Sequence, residues 1–249
     1  MRNNRAVLLL TLLLSACGSL AQTEPALPYY SRLNSFGVFG EYSNNSSHIL
    51  LGQAQNRKLL DFGGFYSRRL LLNHVIDWQY MLELRPIMLE SDPLTHETLV
   101  VNQPPPPTTF TFINAFPQAC HPLSETISGV SNGVPYSETV TVTCGQRQWT
   151  FGEGFSPIGF KLNFLPRRRL QPVFTGLGGY MFATKPIPVA DAGSWNFTFQ
   201  FGIGVEYYRS PTHSLRLEYR LHHISNDNTA TENPGIDSQL FQLTYAFGR

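Results

Sequence analysis

Along most of the chain, apolar and polar residues alternate with a period of two. That is the pattern of β-strands whose two faces meet different surroundings. Ile76, Trp78, Tyr80, Leu82 and Leu84 share one side of their segment, with Asp77, Gln79, Met81, Glu83 and Arg85 on the other. Ile158, Phe160, Leu162 and Phe164 alternate with Gly159, Lys161 and Asn163. Phe197, Phe199, Phe201, Ile203, Val205 and Tyr207 alternate with Thr198, Gln200, Gly202, Gly204 and Glu206. The rows Leu215-Leu217-Tyr219-Leu221 and Phe241-Leu243-Tyr245-Phe247 behave likewise. Eight strands are predicted, near 34–43, 58–71, 74–87, 148–165, 170–184, 195–209, 213–225 and 237–247. Each has about the ~9–11 residues of a tilted membrane strand, or somewhat more.

Alternation alone suits a soluble sandwich as well as a barrel. The faces are more informative. The apolar rows are long and aromatic, whereas the polar rows carry glycines and opposite charges such as Arg216, Glu218 and Arg220. Such rows suit a narrow, hydrogen-bonded interior. Short turns around Asn73, at Pro166–Arg169 and at Ser210–Thr212 alternate with long connections near 44–57, 88–147, 185–194 and 226–236. Strict alternation of short and long connections is the habit of bacterial outer-membrane barrels. The reading is an all-β, eight-stranded antiparallel transmembrane β-barrel over residues 22–249, with a long outer loop at 88–147 and no second domain.

Composition fits this reading. Charged residues make up 14% of the chain, against roughly 25% in an average soluble domain. Aromatics reach 13%, yet mean hydropathy is only −0.15. Beyond the extreme N-terminus no apolar run approaches the ~20 residues of a spanning helix, which excludes a polytopic helical protein. The richness in aromatic and aliphatic residues argues against disorder.

Arg2 and Arg5 precede an apolar stretch, Ala6–Leu14, and then small residues, which reads as a secretory signal peptide over 1–21. Cleavage after Ala21 and lipoprotein-type cleavage before Cys17 both remain open. Removal of the two arginines leaves 16 of the 18 Lys and Arg against 17 Asp and Glu, a formal charge of −1. No clustered basic surface for nucleic acid follows from that. Arg167-Arg168-Arg169 is three residues in a turn. In an exported chain the remaining pair, Cys120 and Cys144, reads as a disulfide, not as a metal site or thiol nucleophile. No phosphate loop, zinc pattern or calcium loop is present, so no metal or other cofactor is implied.

The candidate chemistry lies at the end of the seventh strand. His223 and Ser225 continue the row of Leu215, Leu217, Tyr219 and Leu221, which faces lipid. Asp237 shares parity with Phe241 and Leu243 on the next strand. A base, a nucleophile and an orienting acid would thus project from the outer wall at the level of the outer leaflet. Polar groups there are costly unless they have a role; the alternative is that they reach the headgroup zone and are solvated. His222 has the opposite parity and reads as an interior residue. Glu232 sits in the loop and fits the acid's spacing less well than Asp237.

The stretch Tyr219-Arg220-Leu221-His222-His223-Ile224-Ser225-Asn226, followed by Asn233-Pro234-Gly235-Ile236-Asp237-Ser238, resembles the C-terminal signature of the outer-membrane lipid A 3-O-deacylases. That family forms eight-stranded barrels and hydrolyses the ester-linked acyl chain at the 3 position of lipid A. The resemblance implies His223 as base and Ser225 as nucleophile, with Asp237 standing where the family has Glu. It also implies support from Asn226 and stabilisation of the oxyanion by Asn233. Asn228 stands where the family often has a glycine. The implied partner is lipopolysaccharide in the outer leaflet of the bacterial outer membrane, and a homodimer is compatible with this. The competing expectation is a non-catalytic outer-membrane barrel, either structural or serving to display the 88–147 loop for adhesion.

Overall fold

The computed structural model describes residues 29–102 and 106–249; the expected signal segment and both its cleavage points lie outside the described residues. Ten strands follow in order: β1 (Asn34–Ser43), β2 (Lys58–Leu72), β3 (Ile76–Asn102), β4 (Thr108–Asn114), β5 (Leu123–Ser131), β6 (Val134–Phe164), β7 (Leu170–Ala183), β8 (Trp195–Ser210), β9 (His213–Ser225) and β10 (Ile236–Gly248). β1 pairs with both β2 and β10, and β3 pairs with β6 as well as β2. Those pairings close β1, β2, β3, β6, β7, β8, β9 and β10 into an antiparallel ring of eight strands. The ring strands cover the eight predicted segments except for residues 74, 75, 165 and 184.

The wall is inside-out. On β9, Leu215 and Leu217 are about half exposed, while Arg216, Glu218 and Arg220 of the alternate row are fully buried. The same holds on β10, where Phe241 and Leu243 face outward and Gln242 and Thr244 face inward. A soluble barrel would place these rows the other way round. An apolar outer belt with a polar interior is the arrangement of a membrane barrel.

The interior is a web of paired charges. Arg220 Nη2 donates to Glu83 Oε1 and to Glu218 Oε2, both at 2.9 Å. Arg85 Nε donates to Glu41 Oε1 at 2.9 Å. Nearer the short turns, Lys161 and Arg32 both hold Glu206, again at 2.9 Å. Arg32 precedes β1, tucks under the ring and also donates to the carbonyl of Ala246. Gly202 makes room for this web, because a Cβ there would lie 2.5 Å from Thr175 Oγ1 and 2.9 Å from Arg220 Cγ.

The stretch expected as a long outer loop, 88–147, is largely β-structure. β3 and β6 run on past the rim as a paired ribbon, flanked by β4 on one side and β5 on the other. The Ser, Thr and Pro content read as loop, yet Thr and Val alternation is also good strand sequence. Asn132 and Gly133, both at positive φ (52° and 78°), make the two-residue turn between β5 and β6 that an Asn-Gly pair favours. That dipeptide was the overlooked signal. Cys120 and Cys144 are bonded, tying the β4–β5 connection to β6 with Cα atoms 5.8 Å apart.

Two outcomes follow. Arg220→Ala leaves Glu83 and Glu218 short of a buried partner, so urea unfolding in detergent micelles is expected to show a loss of about 3–5 kcal/mol. Reduction of Cys120–Cys144, which lies outside the ring, is expected to leave the unfolding midpoint unchanged while speeding proteolysis between residues 115 and 133.

Candidate functional site

Two adjacent strands build the centre of the site. In the β9–β10 ladder, His223 is paired directly with Asp237. Directly opposed residues of an antiparallel pair present their side chains on the same face, within reach of one another. The result is a hydrogen bond of 2.6 Å between His223 Nδ1 and Asp237 Oδ1. On the other side of β9, Phe199 of β8 is paired with His223, and the two rings lie 4.7 Å apart between centroids. The imidazole is therefore held in plane by an aromatic neighbour and in orientation by a carboxylate.

Ser225 is two residues further along β9 and shares the face of His223. Its Oγ donates to Asn233 Oδ1 at 3.2 Å and accepts from the backbone N–H of Asp227 at 3.1 Å. No hydrogen bond joins Ser225 to His223. Asn233 Oδ1 also accepts from the backbone N–H of Asn226 at 3.1 Å, so both acceptor directions of its amide oxygen are engaged.

Asn226 holds the turn together. Its Nδ2 donates to the carbonyl of Glu232 at 2.7 Å, and its Oδ1 accepts from the N–H of Asn228 at 3.0 Å. Asp227 and Asn228 both adopt left-handed φ, at 51° and 59°. Asn and Asp tolerate that conformation better than other non-glycine residues. Asn228 thus occupies a glycine-like backbone position without breaking the turn.

The sequence-based expectation that these groups lie open to the outer leaflet needs correction. His223 and Asp237 are on the outer face but are buried, at 5% and 1% exposure, and Ser225 is half-buried. The cover comes from the connection between β1 and β2, which folds across the start of β10. Ser47 N–H donates to the carbonyl of Asp237, and Ala54 N–H to that of Gly235. Three more amides, of Ile49, Leu50 and Gly52, donate to Asp237 Oδ2 at 3.2, 2.5 and 2.9 Å. The sequence reading missed this element, because its contribution is made by backbone and leaves no side-chain signature.

His222 faces the lumen as its parity predicts. Its ring approaches Glu41 and Asp61, the three sharing ligand atoms within 4.8 Å of one another. Arg85 and Arg220 stand beside Glu41 and already supply positive charge there. Glu232 accepts from Asn226 through its carbonyl, and its own N–H donates to the carbonyl of Asp191. Lower on the outer wall, Tyr219 Oη donates to Gln239 Oε1 at 2.6 Å, and a hollow of about 160 Å³ lies among Tyr42, Leu60, Phe62, Leu217, Phe241 and Leu243.

Residues 128–246 match the family described as Lipid A 3-O-deacylase (PagL). The match includes every residue of the His223–Asp237 constellation but not the β1–β2 connection. No curated protein matches the chain. Among solved structures, neisserial surface protein A (NspA) is 10% identical, with 87% of this chain and 97% of that chain covered and a TM-score of 0.43. The outer membrane protein OprG from Pseudomonas aeruginosa is 9% identical, covers 89% and 100%, and has a TM-score of 0.39. LpxR from Salmonella typhimurium is 10% identical, covers 86% and 100%, and has a TM-score of 0.26.

The short His223–Asp237 contact has a spectroscopic signature. The proton NMR spectrum of the refolded barrel is expected to show a downfield imidazole N–H resonance that disappears in Asp237→Ala and survives in Ser225→Ala.

Proposed function

We propose that this chain is an outer-membrane esterase that removes the 3-O-linked acyl chain from lipid A. The family match over residues 128–246 supports lipid A deacylation in the outer membrane. The observation that carries the finer reading is the His223–Asp237 hydrogen bond on the outer face of the wall, with a serine hydroxyl on the same face two residues away.

In this reading Asp237 fixes the tautomer with the proton on Nδ1, leaving Nε2 as the base. Ser225 Oγ turns from Asn233 toward His223, loses its proton to Nε2 and attacks the ester carbonyl. The C–O bond to the sugar then breaks, and His223 returns the proton to the departing sugar hydroxyl. Water, deprotonated by the same Nε2, attacks the acyl-serine, and a fatty acid and the free serine result. The Nδ2 of Asn233, which is not needed to hold Ser225, donates to the oxyanion that forms in each half-reaction. A preoriented donor of this kind contributes about 10²–10³ in rate. The acyl chain lies along the apolar wall below the site, against Leu221, Tyr219, Leu217 and Phe241.

The sheet formed by β3–β6 beyond the rim favours a second role for the same molecule as a display platform. Its strands carry exposed Phe110, Phe112, Leu123 and Ile127, and the ring places it across the barrel from the β9–β10 site. Under that reading alone, no residue of β9 would matter to lipid chemistry.

The test is fatty acid release from purified lipid A by the refolded barrel. Ser225→Ala and His223→Ala are each expected to lower the rate by on the order of a thousandfold or more, and Asp237→Asn by about 10²–10⁴-fold. Equal release by wild type and Ser225→Ala would remove the serine from the mechanism and leave the display role.

A further inference from the structure

The acid of the site is one methylene shorter than the glutamate of the family it resembles, and its second oxygen meets a ring of donors. Asp237 Oδ2 accepts from three backbone amides in a span of four residues, Ile49, Leu50 and Gly52. Three N–H groups aimed at one carboxylate oxygen form a concave anion-binding nest. Hydrogen bonds to a charged acceptor are roughly twice as strong as neutral ones, so the nest both favours the ionised acid and fixes its rotamer.

The nest is itself anchored. His48 Nδ1 is 2.7 Å from the carbonyl of Gly52, which closes the turn from 48 to 52. Ala54 then bridges Ile236 in parallel and Ser46 bridges Ser238. Ser46 Oγ donates to the carbonyl of Ala54 and accepts from the N–H of Arg57. The connection thus grips β10 on both sides of Asp237. Gly52 is where the fit is tightest. A Cβ there would lie 2.5 Å from Asp237 N, 2.7 Å from the carbonyl carbon of Ile236 and 2.9 Å from Asp237 Cγ. Two of those neighbours are backbone and cannot move aside.

We infer that the 48–52 turn of the β1–β2 connection is a positioning element for the reaction, with Gly52 its key residue, acting through Asp237. The inference rests on reading Ser225, His223 and Asp237 as an esterase site. The strand ladder alone brings Asp237 opposite His223, but it leaves the carboxylate free to rotate about its own side-chain bonds. The nest takes up Oδ2 and so presents Oδ1 to the imidazole. Asp is the right length for this, because a longer acid would carry its carboxylate past the amides. The turn does not touch the reacting atoms.

Gly52→Val and Leu50→Pro test the inference by different routes. The first evicts the turn through its side chain; the second deletes one amide donor and adds nothing at Gly52. Both changes lie outside the ring, and the heat-modified mobility of the barrel on gels reports that the ring has formed. Each variant is expected to lower kcat for lipid A deacylation by about 10–100-fold with little change in KM. Each should also weaken the downfield imidazole resonance of His223. In an Asp237→Ala background, Gly52→Val should produce no further loss, because two changes that act through one group are not additive.

Full activity and an intact resonance in both variants would overturn the inference. So would a further loss from Gly52→Val in the Asp237→Ala background, which would mean that the turn acts on something other than the acid. Undiminished activity in Ser225→Ala sinks the esterase reading instead. In that event the resonance still reports whether the turn holds Asp237.

Discussion

Closure of the sheet governs everything else in this molecule. In the hydrocarbon of a membrane an unpaired strand edge would leave a row of unsatisfied N–H and C=O groups, each costing several kcal/mol. β1 meets β10 and β3 meets β6, and the ring has no free edge across the bilayer. Closure also divides every ring strand into an inner and an outer row. With lipid outside, the inner rows are the place for charge, and Arg32, Arg85, Lys161 and Arg220 are each paired there with a glutamate. Arg220, held between Glu83 and Glu218, is the centre of that arrangement. The β4 and β5 strands escape the rule because they flank β3 and β6 beyond the rim, where water can satisfy an edge.

The candidate site uses the same geometry for a different purpose. A ladder is the stiffest part of a barrel, and a pair of directly opposed residues is its most closely defined contact. Placing His223 and Asp237 at opposed positions makes their hydrogen bond a consequence of register. Polar groups on the outer face carry a penalty, however, and the molecule removes it by covering them. Phe199 closes one side, and the β1–β2 connection closes the other while supplying donors to the carboxylate. Ser225 sits at the strand end, half-buried and hydrogen-bonded to Asn233.

Much of this was legible in the residue order, and the exceptions are instructive. Parity assigned Arg216, Glu218, Arg220 and His222 to the lumen and His223, Ser225 and Asp237 to the outer face, because a period of two admits no other outcome once one row is placed. The same reasoning took residues 88–147 for a loop on their Thr, Ser and Pro content, although Asn132-Gly133 marked a hairpin. It also read Asn226 only as a support, since nothing in the spelling of the motif says that both ends of its amide are spent bracing the turn to Glu232 and Asn228.

The sequence by itself therefore determined the local and periodic features: eight ring strands, two rows on each, and a histidine, serine and carboxylate of matching parity at one end. Those follow from alternation, and alternation needs no knowledge of distant residues. Only the tertiary structure decided that the connection after β1 would lie over the start of β10, that three of its amides would meet Asp237, and that the polar groups on the outer wall would be covered. These depend on closure, which brings the first strand beside the last. Backbone donors are common to every residue, so the sequence around Gly52 carries no sign of what they bind.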